Sequence, residues 1–152
     1  MQPIRFETIT AENWRVAARL KVKAGQENFV ASNAMTFAQV HFQPELNADC
    51  YGIYHEETMV GFLCSVLPPD TPPGTLYIMR FMIGSDHQRK GYGRAAMQAF
   101  IEQVRKQEKY QQIVLSYVPS NEGAKNLYLS VGFIEKGVRE EWGGEIEAVF
   151  AL

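Results

Sequence analysis

Gln88-Arg89-Lys90-Gly91-Tyr92-Gly93-Arg94-Ala95 stands between an apolar run, Thr75 to Ile83, and a stretch from about Gly91 to Gln107 in which Met97, Phe100, Ile101 and Val104 recur at i, i+3, i+4 and i+7. The run reads as a strand that is apolar on both faces, as at the centre of a sheet. The stretch after it reads as an amphipathic helix. The turn between them therefore lies at a helix N-terminus, where unpaired backbone N–H groups and the positive end of the dipole favour an anion. Gly91 and Gly93 lack a Cβ, so a ligand can come close to their N–H groups. Arg89, Lys90 and Arg94 add positive charge on three sides. Several adjacent phosphates suit such a cradle better than one. A glycine turn that only packs helix on strand is the plainer reading, and it leaves the three cations without a purpose.

Two nucleotide fingerprints compete for the turn. Gly91-x-Gly93-x-x-Ala96 fits GxGxxG/A, which calls for an acidic residue at the end of the following strand. That strand, Ile113-Val114-Leu115-Ser116-Tyr117-Val118, contains no Asp or Glu. A Walker loop ends in Gly-Lys-Ser/Thr, and that ending is missing.

Working outward, Ile4 to Ile9 reads as a strand, and Thr10 as the cap of a helix from about Ala11 to Val22. Ser32 caps a second helix through about Phe42, with Met35, Ala38 and Phe42 at helical spacing, and Pro44 closes it. Cys50 to His55 and Met59 to Leu67 form an antiparallel hairpin. The run Pro68-Pro69-Asp70-Thr71-Pro72-Pro73-Gly74 is a surface loop. Ser120 or Asn121 caps a helix to about Val131, and Gly132 follows it. Phe133 to Glu141 and Glu145 to Leu152 make a closing hairpin around Gly143-Gly144. The expected fold is an α/β domain spanning residues 1–152. Its mixed, mostly antiparallel sheet has about six or seven strands with about four helices, in the order β-α-α-β-β-β-α-β-α-β-β.

A chain of 152 residues, 46% hydrophobic and 21% charged, is globular in composition. Fifteen Lys and Arg against seventeen Asp and Glu give a net charge of −2, without the basic excess of a nucleic-acid binder. The apolar runs fall short of the ~20 residues that span a bilayer. The N-terminal residues lack a signal-peptide layout, so a cytoplasmic protein is expected. Cys50 and Cys64 have no CxxC spacing, and His41, His55 and His87 are scattered, so no metal is expected.

Gln88-x-x-Gly91-x-Gly93 and, downstream, Asn121-x-x-Ala124-x-x-Leu127-Tyr128-x-x-x-Gly132-Phe133 together resemble the GNAT superfamily of N-acetyltransferases. The resemblance implies acetyl-CoA as co-substrate. Its pantetheine arm would pair with the backbone of Phe81, Met82 and Ile83, and its pyrophosphate would lie on Gln88, Arg89, Lys90, Gly91, Tyr92, Gly93 and Arg94. Asn121 would reach the pantetheine or pyrophosphate, and Tyr128 would be the general acid. A phenol with a pKa of ~10 stays protonated at neutral pH and can donate to a departing thiolate of pKa ~8.5. The attacking amine, with a Lys-like pKa of ~10.4, must lose a proton first. The sequence identifies no base for it; Glu27 is a candidate, and Arg80 stands where many relatives carry a Glu on the strand before the turn. Tyr128 as a plain core aromatic is the alternative.

With Gly143-Gly144 as the turn pair, Trp142 faces Glu145, Glu140 faces Glu147 and Val138 faces Val149. Three carboxylates beside an indole suit a multiply charged cation. A solvated hairpin end is the competing reading, since a one-residue slip dissolves the pairing. Gln26 to Asn33 and Glu140 to Glu147 also resemble the bacterial spermine/spermidine (diamine) N-acetyltransferases. The expected acceptor is thus a polyamine, with Glu27, Glu140, Trp142, Glu145 and Glu147 around it. A protein N-terminus, an amino acid or an amine drug are alternative acceptors, and a non-catalytic acetyl-CoA sensor is the alternative class. The resemblance leaves room for a homodimer.

Overall fold

The structure is a computed structural model and describes residues 3–152; Met1 and Gln2, part of the expected domain and of the N-terminal reading, lie outside the described residues. Seven strands form one sheet: β1 (Ile4–Thr8), β2 (Asp49–His55), β3 (Thr58–Val66), β4 (Thr75–Ile83), β5 (Gln112–Tyr117), β6 (Ile134–Arg139) and β7 (Glu145–Ala151). The helices are α1 (Trp14–Arg19), α2 (Asn33–Phe42), α3 (Tyr92–Arg105) and α4 (Glu122–Val131). The strand order is β1-β2-β3-β4-β5-β7-β6, and among these neighbours only β4 and β5 run parallel. The element order is the one the sequence led us to expect.

α3 and α4 cover one face. The α3 stripe of Ala96, Met97, Phe100, Ile101 and Val104 is buried against Leu63, Leu76, Ile78, Ile113 and Leu115. α1 and α2 cover the other face over Met59, Phe62, Cys64 and Met82. Here the spacing of apolar residues misleads. Met35 and Phe42 are exposed, and α2 turns Asn33, Thr36 and Phe37 inward instead. Asn33 Nδ2 donates to Ala17 O at 2.8 Å, and Phe37 meets the Phe62 ring edge-on at 5.4 Å. Ser32 caps α2 as expected, accepting from Met35 N at 3.0 Å. Pro44 does not simply end that helix: it opens a 3-10 turn, Pro44–Leu46.

α1 is shorter than the expected Ala11–Val22. Residues 10–13 form a turn in which Asn13 Oδ1 accepts from Thr10 N at 2.7 Å, and at Leu20 the chain becomes extended. Lys21 O then accepts from Ser85 N at 2.7 Å, which ties this segment to the loop after β4. The two cysteines, separate in sequence, face each other across β2 and β3 with their Sγ atoms 3.6 Å apart.

Two irregularities position the site. β4 and β5 pair only at Thr75↔Gln112, Leu76↔Ile113 and Tyr77↔Val114, and beyond that point they splay. Opposite β3, Cys64 pairs with Arg80 and Ser65 with Ile78, so Met79 is an extra residue in β4. Such a bulge bends a strand and shifts the phase of its side chains. Leu76 and Ile78 before it, and Phe81 and Ile83 after it, all pack on the α3/α4 side. Tyr77, Met79 and Met82 pack on the α1/α2 side.

Candidate active site

The splay opens a cleft of about 1580 Å³ that passes through the sheet. On the α3/α4 side its wall includes Phe81, Ile83, Gly91, Gly93, Leu127 and Tyr128. On the α1/α2 side it includes Gln39, Tyr77, Arg80, Ser116, Trp142 and Glu145. One molecule can enter from each face and meet the other between the two strands.

All three residues expected to offer backbone line the cleft, but the ladder turns the polar backbone groups of only two of them toward it. Gly84 N donates to Val60 O at 2.8 Å, so by the two-residue alternation of a ladder the polar groups of Met82 also face β3. The amide groups of Phe81 and Ile83 point the other way, to an edge that β5 has left. An extended amide chain can add to such an edge.

The turn after β4 is shaped for an anion. Gly91 has φ of 84° and Arg89 has φ of 61°, both left-handed, and α3 starts with no side chain capping it. The first internal bond of α3 runs from Ala95 N to Gly91 O, which leaves the N–H groups of Tyr92, Gly93 and Arg94 free of helical partners. The expected ring of positive charge is only partly present at the cleft. Arg89 lines it, but Lys90 points into solvent and Arg94 donates to Ser130 Oγ at 2.8 Å, joining α3 to α4. Gln88 lines the cleft while donating to Ile83 O and to Gln26 Oε1, each at 3.0 Å. Tyr92 lines it while its hydroxyl meets His55 Nδ1 at 3.1 Å.

Asn121 lines the cleft, but its side-chain oxygen caps α4, accepting from Ala124 N at 3.1 Å. Its amide nitrogen, which makes no hydrogen bond among the described residues, is left for a ligand. Asn121→Ala should therefore cost about 1 kcal/mol of stability, and Asn121→Ser should recover most of it in a thermal melt.

Tyr128 is 7% exposed, with its ring 6.3 Å from Phe81 of β4, 5.7 Å from Tyr117 of β5 and 5.7 Å from Phe133. It fills the gap between the splayed strands. It is thus a core aromatic and a cleft residue at once, and its hydroxyl bonds to no protein group among the described residues. Burial pushes its phenol well above the usual tyrosine range. Tyr117 is likewise raised, first by burial and then by Glu135, to which its hydroxyl donates.

The hairpin register is not the expected one. Glu140–Trp142 form a 3-10 turn, Gly143 and Gly144 both have positive φ, and Lys136 is an extra residue in β6. Arg139, rather than Trp142, therefore faces Glu145, and Gly137 faces Glu147. Arg139 binds Glu147 through Nε at 3.1 Å and Nη2 at 2.6 Å. Glu140 and Glu147 do not line the cleft; Glu27, Trp142 and Glu145 do. Glu145 Oε1 accepts from Ser116 Oγ at 2.8 Å, Trp142 meets Tyr77 edge-on at 6.5 Å, and Glu27 Oε2 accepts from Gly25 N at 2.7 Å. Sequence reasoning missed Tyr77, Gln39 and Ser116. The alternation along β5 could have flagged Ser116 as facing away from the α3 side, whereas β4, apolar on both faces, carries no such mark for Tyr77.

The profile of the Acetyltransferase (GNAT) family matches residues 17–133. The chain belongs to that family, and its activity is acetyl-CoA-dependent N-acetyl transfer. Among solved structures, the aminoglycoside acetyltransferase AAC(6')-Ib in complex with ribostamycin and coenzyme A shares the fold at a TM-score of 0.84 and 16% identity, covering 99% of this chain and 94% of that one. Spermidine N-acetyltransferase from Vibrio cholerae, in complex with CoA and spermine, has a TM-score of 0.75 at 13% identity over 97% of this chain and 95% of its own. The ribosomal-protein-S18-alanine N-acetyltransferase from Escherichia coli has 0.68 at 20% identity over 98% and 92%. No curated protein sequence matches the chain. Among the described residues no helix is long and apolar enough to cross a membrane, and no group of three or more His, Cys, Asp or Glu is placed to hold a metal.

Proposed function

We propose that this protein moves the acetyl group of acetyl-CoA onto a primary amine of a small molecule by direct attack, with Tyr128 as general acid. The observation that carries the reading is the position of Tyr128 in the β4–β5 gap, its hydroxyl unbonded, between an anion cradle on one face and a carboxylate-bearing pocket on the other. The free N–H groups of Tyr92 and Gly93, with Arg89, suit the pyrophosphate. The edge at Phe81 and Ile83 suits the pantetheine amides. Lys90 and Arg94 act at most from a distance, through charge. Glu145, anchored by Ser116, receives the ammonium of the acceptor. After that ammonium gives a proton to water, the amine attacks the thioester carbonyl and the C–S bond breaks. Tyr128 hands a proton to the sulfur that leaves and regains one from solvent. Glu27 lies on a loop of the same cleft.

A polyamine is one such amine. What supports it is Glu27, Asp70 and Glu145 in the cleft wall, Trp142 beside Glu145, and a shared fold with a spermidine N-acetyltransferase. The loss of Glu140 and Glu147 from the cleft removes half of the argument the sequence offered. Thiol release from acetyl-CoA, measured against polyamines, amino acids, peptides and aminoglycosides, tests the reading. The expected result is release with at least one primary amine and none with its tertiary analogue. Binding of acetyl-CoA with no release against any amine would instead make the protein a sensor.

A further inference from the structure

The pocket on the α1/α2 side holds a cation without a counter-ion. Arg80 lines the cleft and is half-buried, and none of the ion pairs among the described residues includes it. Its Nη1 donates to Met79 O at 2.9 Å and its Nη2 to Gln39 Oε1 at 3.0 Å, both neutral acceptors, and its buried Nε bonds to nothing. Burial lowers its pKa, yet a guanidinium stays charged at any working pH. Glu145 attracts it without reaching contact distance, and Glu145 is already engaged by Ser116.

A charge taken this far out of water is costly unless something pairs with it. No carboxylate among the described residues reaches it, and two of the five guanidinium donors are satisfied by neutral oxygens. The remaining Nη protons form a planar fork of the kind that binds carboxylates and phosphates. The bulge at Met79 explains why the fork is here: it turns Arg80 to the side of Tyr77 and α2, away from the cradle at Gly91 and Gly93. The anion that Arg80 awaits is therefore not the pyrophosphate.

We infer that Arg80 is an anion subsite for the acceptor, so that the acceptor carries a carboxylate or similar oxyanion beside its amine, the oxyanion on Arg80 and the ammonium on Glu145. This rests on the reading of the cleft as the site of acetyl transfer. It places the acceptor among amino-acid-like zwitterions; a polyamine offers Arg80 only like charge.

The test compares each proteinogenic amino acid, and ornithine, with the amine left when its carboxylate is removed, lysine against cadaverine and ornithine against putrescine among them, by thiol release from acetyl-CoA. With the wild-type protein the carboxylated member of the preferred pair should show a kcat/KM higher by about tenfold or more, the least a charge-assisted hydrogen bond supplies. Arg80→Gln should erase that ratio, chiefly through KM, and Arg80→Lys should keep part of it. Equal rates within pairs, or preference for cadaverine, putrescine or spermidine by the wild-type protein, would overturn the inference and leave the transferase reading standing. No release with either series, while acetyl-CoA still binds, would overturn both.

Discussion

Tyr128→Phe should lower kcat by about 10²- to 10⁴-fold, the range in which a positioned proton donor contributes, while the KM for acetyl-CoA changes little. The structure makes this a clean substitution. The hydroxyl has no partner among the described residues, so its removal strands no buried donor or acceptor there, and the ring contacts with Phe81, Tyr117 and Phe133 survive in phenylalanine. The thermal midpoint should therefore hold within the error of a neutral substitution. The direction of the phenol's shift adds a second readout. Burial raises its pKa above the ordinary ~10, so the proton remains in place across the working range. The rate should rise with pH as the acceptor amine loses its proton, and the alkaline limb should not begin below pH ~10. The same shift makes the wild-type fold most stable below pH ~10 and less stable above it, as the unfolded chain ionises first. The phenylalanine variant lacks the Tyr128 share of that alkaline loss and keeps the share of Tyr117, whose phenol is raised too. A variant with wild-type kcat would remove Tyr128 from the chemistry and leave it as packing.

What could be read from the sequence follows from how local each signal is. The α3 stripe and the Gly91–Gly93 turn depend on spacings within a few residues, and the structure has both. The caps at Ser32 and Asn121 are equally local. Register is not. The closing hairpin has two left-handed glycines after a 3-10 turn, and no residue pattern distinguishes that from a two-residue turn, yet the difference moves Glu147 from an acidic cluster to Arg139. The Met79 bulge is hidden for a related reason: in Leu76-Tyr77-Ile78-Met79 an apolar residue fits either face, so an inserted residue leaves no mark on the pattern. That hidden residue decides where Arg80 points, and with it the acceptor half of the site.

Gly93→Val should raise the KM for acetyl-CoA by about 10- to 100-fold with a near-normal melting temperature, because the clash it creates is with the ligand and not with the protein. A Cβ at Gly93 would meet Leu127 Cδ2 at 3.5 Å and Ile83 Cγ1 at 3.7 Å, ordinary van der Waals distances, and the backbone there is not left-handed. Valine is a better helix former than the glycine it replaces, by a few tenths of a kcal/mol. Its two further methyls add bulk at the helix start, next to the N–H groups of Tyr92 and Gly93 on which the pyrophosphate is proposed to lie. Gly91 is a poorer probe, since its φ of 84° makes any side chain strain the backbone before it meets a ligand. Gly93→Ala is the graded control: one methyl in ordinary contact should give a smaller rise in KM with the same fold. Isothermal titration with acetyl-CoA separates the outcomes, and a valine variant that binds as tightly as the wild type would show that the diphosphate sits somewhere other than this turn.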